Sequence, residues 1–255
     1  MSRWSLVIAP VVFIGGLFAV WEAACRLLGV PVYFLPPPST IGVALVENAP
    51  TLFASAWLTL STAVTAFVLV SILANTAALA AAASPLVEAS LRPIAITLQV
   101  TPIFALAPMV AVWAGVEHPD RAVIALACVA AFFPIYSGAI AGLRSADPAL
   151  ERLFDLYGAS VWQRLARLRA PSAVPQVLEG HKVGLGLALI GAVVAELAAG
   201  SGATPGLAYR IVEASHRMEM ERSFAALAAL GLLAAGLQLA FLAVERRALR
   251  WWRGG

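Results

Sequence analysis

Charged side chains are scarce in this sequence, and their scarcity decides the class of protein. Asp, Glu, Lys and Arg make up 12% of the 255 residues, whereas hydrophobic residues make up 61%. Soluble domains are about a quarter charged and about half apolar. Several apolar runs of about twenty residues are long enough to cross a bilayer as helices. Because these runs do not alternate apolar and polar residues, a membrane β-barrel is excluded. The sequence predicts an all-α integral membrane protein.

The residues that carry most enzyme and metal chemistry are also few. The two cysteines, Cys25 and Cys128, lie in apolar sequence, which favours buried free thiols over a disulfide or a metal site. His118, His181 and His216 fall in predicted loops without paired acids, so no catalytic constellation can be assembled. No phosphate-binding loop with its lysine occurs in the chain. We therefore expect no catalytic residue, metal or cofactor, and any ATP hydrolysis must take place on another polypeptide.

Six apolar segments predict six transmembrane helices in a single domain that covers residues 1–255. The predicted spans are Leu6–Cys25, Leu58–Ala83, Ile94–Gly115, Ala122–Leu143, Val183–Ala199 and Phe224–Val244. We expect the first helix to be retained, because Trp21, Glu22 and Arg26 crowd the place where a signal peptide would be cleaved.

The orientation follows from the positions of the basic residues. In this topology 12 of the 17 Lys and Arg residues lie on one side, and the positive-inside rule assigns that side to the cytoplasm. Both termini and the polar segment Arg144–Lys182 are therefore predicted to be cytoplasmic. The net charge of +3 follows from this bias and is no evidence for nucleic acid binding.

The polar segment predicts two short amphipathic helices. Asp147 can cap the first helix, and Gly158 can adopt the left-handed conformation that a tight reversal needs. Ser160 can cap the second helix, which we expect to end at Pro171 and Pro175. The predicted apolar stripe of the first helix consists of Leu150, Leu153, Phe154 and Tyr157. Such a pair of helices would form a compact knob for a soluble partner or, alternatively, an amphipathic hairpin that lies on membrane lipid.

Prolines in the third span indicate a broken helix. Pro102 and Pro108 each remove a helix hydrogen bond, and the freed carbonyls need partners that lipid does not supply. Broken membrane helices tend to line a pathway. The candidate pathway or gate residues in this span are Gln99, Thr101, Pro102 and Pro108.

The fifth span contains Glu196 and many small residues. An intramembrane carboxylate is a functional candidate, and we consider two roles for Glu196: a gate or helix-packing hydrogen bond, and a contact in the pathway. The small residues, which include Gly184 and Gly191, allow close helix approach. They predict a helix at the centre of the bundle or at a dimer seam.

Three consecutive prolines, Pro36 to Pro38, follow the first span and favour an extended path. A short helix over Ile41–Glu47, capped by Ser39 or Thr40, is predicted next. The connection could be a contact surface on the outer side or a stiff connector.

The polar segment resembles the signature loop of permease subunits of bacterial ABC importers, which reads Glu-Ala-Ala, three residues, Gly, nine residues, Ile-x-Leu-Pro. Gly158, Leu168, Ala170 and Pro171 stand in register at the Gly, Ile, Leu and Pro positions. Further segments resemble the nitrate, sulfonate and taurine branch of that family. They are Leu35–Pro38, Pro102–Pro108 with Trp113 and Gly115, Phe132–Pro134, Pro171–Pro175, Gly180, Ala195–Glu196 and Trp251. The run Leu189–Glu196 is similar to relatives that import thiamine-pyrimidine precursors or riboflavin.

The resemblance implies a type I ABC importer permease fold with a cytoplasmic coupling-helix loop. It also implies three partners: cytoplasmic ATP-binding subunits, a second permease copy or a paralogue, and a periplasmic or lipid-anchored solute-binding protein. Residues of the coupling loop would dock on the ATPase and transmit its closure to the spans. On this reading the docking residues are Glu151, Asp155, Tyr157, Gly158, Leu168 and Pro171.

The chain departs from the signature at its acidic position. Arg152 stands where the family has Glu, and Glu151 comes one residue early. We expect Asp155 or Glu151 to take over the polar contact with a dedicated ATPase.

Two other classes of protein remain as alternatives: a secondary carrier or channel that is not driven by ATP, and a membrane-embedded enzyme. The carrier would be expected to show inverted repeats or intramembrane charge pairs, which the sequence lacks.

Overall fold

The computed structural model describes residues 3–115, 118–199 and 205–252, with the side chains of residues 3–7, 199 and 251 left aside. Arg253, one of the basic residues that set the predicted orientation, lies outside them, as does the side chain of Trp251. All the regular secondary structure of the described residues is helical. Its elements are α1 (Arg3–Leu27), α2 (Pro38–Glu47), α3 (Ala49–Ala83), α4 (Pro85–Val100), α5 (Ile103–Ala114), α6 (Pro119–Leu143), α7 (Pro148–Leu156), α8 (Val161–Arg164), a π-helical turn (Leu165–Arg169), α9 (Ala170–Ala199), α10 (Leu207–His216) and α11 (Met220–Trp252).

Among the described residues, five segments are long and apolar enough to cross a membrane, and the pair α4–α5 is a sixth candidate. The five are Ile8–Leu27, Ala49–Ala83, Pro119–Leu143, Val161–Ala198 and Met220–Arg250. The predicted all-α membrane class is thereby confirmed. The helices begin earlier than their predicted spans, and α3 at Ala49, α4 at Pro85 and α9 at Ala170 begin the furthest before them. Apolar length marks where a helix can meet lipid, and a helix can continue past that point into water.

The third predicted span, Ile94–Gly115, is broken into two helices, as its prolines indicated. α4 and α5 are bent by 104° at the residues between them. A proline disfavours the helical region for the residue before it, and Thr101 has an extended backbone (φ −71°, ψ 124°) before Pro102. Pro93 and Pro108 lie inside α4 and α5 instead. The break therefore belongs to Pro102 alone.

The chain divides into two compact units, one formed by residues 1–57 and 205–232 and the other by residues 58–204 and 233–255. In the first unit, α1 and α2 are tied together by Glu22. Its carboxylate accepts hydrogen bonds from the backbone N–H (3.0 Å) and hydroxyl (2.8 Å) of Ser39 and pairs with Arg26 at 2.6 Å. Pro37 is extended as predicted, with φ −68° and ψ 150°.

The predicted cap at Ser39 or Thr40 is wrong. α2 begins at Pro38, because the fixed φ of proline suits the first helical position and its missing N–H costs no helix bond there. Ser39 is consequently inside the helix, and its hydroxyl bonds to Glu22 rather than to its own helix end.

The second unit is built on close backbone contact between α6 and α9. A Cβ added to Gly180 would lie 2.7 Å from the carbonyl oxygen of Pro134, and one added to Gly191 would lie 2.8 Å from Cα of Ala127. A Cβ on Gly138 would in turn lie 2.8 Å from Cα of Gly180. These glycines set the distance between the two helices. The small-residue helix was predicted to lie at the centre of the bundle or at a dimer seam, and within this unit it lies at the centre.

α9 passes through both prolines that were predicted to end a helix, and this prediction is also wrong. Pro175 has no N–H to donate to the carbonyl of Pro171, four residues earlier. The indole Nε1 of Trp252, at the end of α11, donates to that carbonyl at 2.6 Å. Just before Pro171, the π-helical turn shifts the bonding pattern, and the N–H of Ala170 donates to the carbonyl of Leu165. The chain therefore stays helical from Val161 to Ala199.

A matched pair of glycine substitutions tests the α6–α9 contact. Gly180→Ala places a Cβ against backbone atoms, so we expect destabilisation by about 1–3 kcal/mol and a melting temperature lower by roughly 2–10 °C. Gly186→Ala, on the same helix with no atom within 4 Å of the added Cβ, should leave the melting temperature unchanged or slightly raised. Thermal unfolding in detergent measures both variants, and equal melting temperatures would contradict the proposed contact.

Candidate functional site

Residues 147–169, which we call the knob, form a helix, a tight turn and a second helix. The side chain of Asp147 accepts a hydrogen bond from the N–H of Ala149 at 2.7 Å, which confirms the predicted cap. Gly158 has φ +61°, the left-handed conformation expected of it. Ser160 and Gln163 form a reciprocal capping box, with bonds of 3.3 Å and 2.8 Å. Each of these local contacts fixes the direction of the chain at one end of a short helix.

Ion pairs brace the knob internally. Glu151 accepts a hydrogen bond from Arg169 Nε at 2.7 Å and pairs with Arg164 at 3.3 Å. The second terminal nitrogen of Arg164 lies 2.6 Å from Asp155. Only 22% of the Glu151 side chain is exposed, so water screens these contacts less than it screens a surface pair. Glu151 and Asp155, both candidate docking residues, are thus engaged with basic residues of the knob itself.

The knob exposes large apolar and aromatic side chains at its turn. Leu156, Tyr157 and Trp162 flank the turn and are 84%, 81% and 71% exposed. Leu165 and Leu168, by contrast, are buried at its base. Tyr157, a predicted docking residue, is exposed, whereas Leu168, another, is buried; Leu156 and Trp162 were not predicted, because they lie off the predicted apolar stripe. Large apolar side chains exposed together are typical of a surface that binds a partner.

Two contacts join the region beside the knob to α4 and α9. Arg144, at the end of α6, forms an ion pair with Glu88 in the first turns of α4. The hydroxyl of Ser145 donates to the carbonyl of Ser172 in α9 at 3.2 Å. A cleft of about 560 Å³ opens between these elements, with Arg144, Glu151, Asp155, Arg164 and Arg169 among its lining residues.

The pathway candidates in the third predicted span do not form one cluster. Gln99 is exposed near the end of α4, and Thr101 donates from its hydroxyl to the carbonyl of Thr97 at 2.6 Å. Pro102 lies at the bend, whereas Pro108 is inside α5. Gln99, Thr101 and Pro102 therefore lie at or next to the bend, and Pro108 lies further along α5.

Glu196 lies in α9 and is buried. Its Oε1 accepts a hydrogen bond from the hydroxyl of Thr59, also buried, at 2.8 Å. Thr59 belongs to α3, so the carboxylate ties two spans within the second unit. A carboxylate at membrane depth needs such donors, since lipid provides none. Of the two roles considered, this contact is of the helix-packing kind.

A polar cluster in the first unit was missed by sequence reasoning, because α10 was not predicted. Arg210 donates to Ser55 at 3.2 Å and to Glu213 at 2.8 Å, and Arg217 pairs with the same carboxylate at 2.9 Å. The signal was present in the sequence as Arg210, Glu213 and Arg217, whose spacing of three and four residues places them on one helix face.

In the described ranges, no group of three or more His, Cys, Asp or Glu residues could hold a metal ion. Both cysteines are free thiols. The Sγ of Cys25 lies 3.7 Å from the carbonyl of Leu35, and that of Cys128 lies 3.4 Å from the carbonyl of Ala66.

Removing one charge tests the brace of the knob. Glu151→Gln weakens the pairs with Arg164 and Arg169, and we expect local opening to become easier by about 1 kcal/mol, a factor of roughly five. Trypsin should then cut the knob at its arginines about five times faster in the native protein. Glu47→Gln, an exposed carboxylate on α2, is the matched control and should be cut at the original rate. Equal rates for the two variants would show that the ion pairs do not hold the knob closed.

Comparison with known proteins places these features in a family. Residues 74–250 match the family described as binding-protein-dependent transport system inner membrane component. The chain is 31% identical to the formylaminopyrimidine transport permease protein of Halalkalibacterium halodurans, over 82% of each chain. It is 30% identical to the riboflavin transport system permease protein of Chloroflexus aurantiacus, over 92% of this chain and 87% of the relative.

A third relative extends the match over nearly the whole chain. The taurine transport system permease protein of Escherichia coli is 30% identical over 98% of this chain and 92% of its own length. The resemblance inferred from the glycine and proline of the loop is thus confirmed. The chain belongs to the binding-protein-dependent inner membrane components, the permeases of ABC transporters.

Proposed function

We propose that this permease is the membrane-spanning subunit of an ATP-driven importer and that the knob is its docking element for a separate cytoplasmic ATPase. The observation that carries the proposal is the form of the knob. It presents Leu156, Tyr157 and Trp162 to solvent while its ion pairs hold the two helices together. A rigid, apolar projection of this kind fits a groove on a soluble partner, because little conformational entropy is lost when it docks.

The connection from the knob to the spans suits the transmission of movement. α8 continues through the π-helical turn into α9, so a displacement of the knob displaces α9. Close glycine contacts link α9 to α6, and the ion pair between Arg144 and Glu88 links the end of α6 to α4. In this mechanism, closure of the ATPase moves the knob, and the movement passes through α9 and α6 to the bent pair α4–α5, where Gln99 and Thr101 lie.

The family membership supports a set of partners for this assembly. We infer that two permease copies, or one copy and a paralogue, pair in the bacterial inner membrane. A periplasmic or lipid-anchored binding protein delivers the solute to the outer face. Both termini and the knob lie in the cytoplasm, in agreement with the distribution of Lys and Arg.

The solute is proposed to be a small organic molecule of the kind named for the relatives, which include taurine, riboflavin and formylaminopyrimidine permeases. A sulfonate- or nitrate-like anion, a thiamine-pyrimidine precursor and riboflavin are the candidates. Uptake of these compounds by cells that lack or express the protein measures the substrate range.

Substitution of Gly158 tests the docking role. A β-branched residue at φ +61° costs about 1–2 kcal/mol and displaces the turn that carries Tyr157. Gly158→Val should therefore abolish co-purification of the ATPase subunit and reduce solute uptake at least tenfold. Gly29→Val introduces the same side chain at φ +62°, after α1, and should leave both measurements near the native level.

The two readouts separate this mechanism from an ATP-independent carrier or channel. A carrier would show uptake without any nucleotide-binding subunit and would tolerate Gly158→Val. If no ATPase accompanies the native protein from membranes, and if uptake persists in Gly158→Val, the importer mechanism is wrong.

A further inference from the structure

A second polar cavity lies between α4 and α6 in the second unit. Its volume is about 280 Å³, and it shares Glu88 and Arg144 with the cleft beside the knob. Arg92 of α4 and Tyr136 of α6 also line it, and Ile96 and Phe133 form an apolar wall. The role proposed for the knob does not use Arg92 or Tyr136.

The cavity carries an excess of positive charge. Arg144 is paired with Glu88, whereas Arg92 makes no ion pair within the part of the chain that the structure describes. Two guanidinium groups and one carboxylate therefore line the cavity. A guanidinium beside apolar wall residues is stabilised by an anion, and its planar fork matches the oxygens of a sulfonate, phosphate or carboxylate.

A third polar group has a fixed position in the cavity. Tyr136 is only 6% exposed, and its ring stacks on Phe132 with centroids 5.7 Å apart and an angle of 9° between the planes. This stacking restrains the ring and hence the place of its hydroxyl, which can donate a hydrogen bond to an anion. The tyrosine hydroxyl is accordingly preorganised, and the apolar wall beside it would accept a hydrocarbon or aromatic body.

We propose that this cavity binds an oxyanion attached to an apolar body, with Arg92 and Arg144 holding the oxyanion and Tyr136 donating a further hydrogen bond. Two sources offer this chemistry: the headgroup of an anionic phospholipid, and a free organic anion such as a sulfonate. Bound oxyanion would compete with Glu88 for Arg144, and occupancy would thus act on the ion pair that joins α4 to α6 beside the knob. The site does not depend on the ATPase-docking role of the knob.

A binding experiment with two arms distinguishes the sources. The protein is purified from membranes with whatever subunits accompany it and placed in phosphatidylcholine nanodiscs, and naphthalenesulfonate is titrated by calorimetry. In the second arm the nanodiscs contain phosphatidylglycerol, and the phosphatidylglycerol retained after extraction is quantified by mass spectrometry. Arg92→Gln should weaken binding about tenfold in at least one arm, because one charged anchor is lost.

Two further variants make the result decisive. Arg246→Gln removes an equal charge from an exposed position on α11 and should change binding by less than twofold. Tyr136→Phe keeps the stacked ring and should weaken binding about threefold or more, and it decides the question if Arg92→Gln does not fold. If the cavity variants lose binding of naphthalenesulfonate, the ligand is a free anion. If they lose only the retained phosphatidylglycerol, the ligand is a lipid headgroup. The proposal is overturned if both cavity variants bind like the native protein, or if Arg246→Gln loses as much as Arg92→Gln.

Discussion

Direct backbone contact between α6 and α9 is the constraint on which the second unit depends. Lipid tails are as apolar as leucine, so membrane helices gain little from burying hydrophobic surface and associate through close packing. Gly180 and Gly191 remove the side chains that would separate the two helices. The contact fixes α9 against a neighbour along much of its length. Everything that α9 carries, including the buried carboxylate of Glu196 and the knob before its first turn, takes its position from that contact.

The knob is in this sense an extension of a transmembrane helix rather than a loop between two of them. The π-helical turn rotates the chain without ending the helix, and the pairs of Glu151 with Arg164 and Arg169 fold α7 back against it. Acidic residues that could have met a partner are thus used to stiffen the knob. The remaining outward surface combines Leu156, Tyr157 and Trp162 with the exposed basic residues Arg152 and Arg167, so a partner that fits it would offer apolar surface without a basic patch.

Sequence reasoning succeeded where the deciding contact is local. Asp147, Gly158 and Ser160 act on atoms within a few residues, and their identities suffice to predict the turn and caps. It failed at Pro175, because the donor that replaces the missing N–H is Trp252, 81 residues from Pro171. It also did not identify Pro102 as the one proline that breaks the third span. For Glu196 the chemistry was foreseen, but its partner Thr59, 137 residues away, could be found only from the packing of α3 on α9. The outward position of Trp162 likewise depends on the fold of the turn.

The bond between Trp252 and Pro171 also has a consequence for the order in which the protein matures. Translation produces the prolines of α9 long before Trp252 at the end of α11. The carbonyl of Pro171 can therefore accept the indole hydrogen bond only after α11 has been inserted. Pro171 is exposed, so water satisfies this carbonyl until then, and the indole replaces that water once α11 is in place. The contact that carries the start of α9 past its second proline therefore forms last. A chain arrested before α11 would lack the indole donor beside the knob.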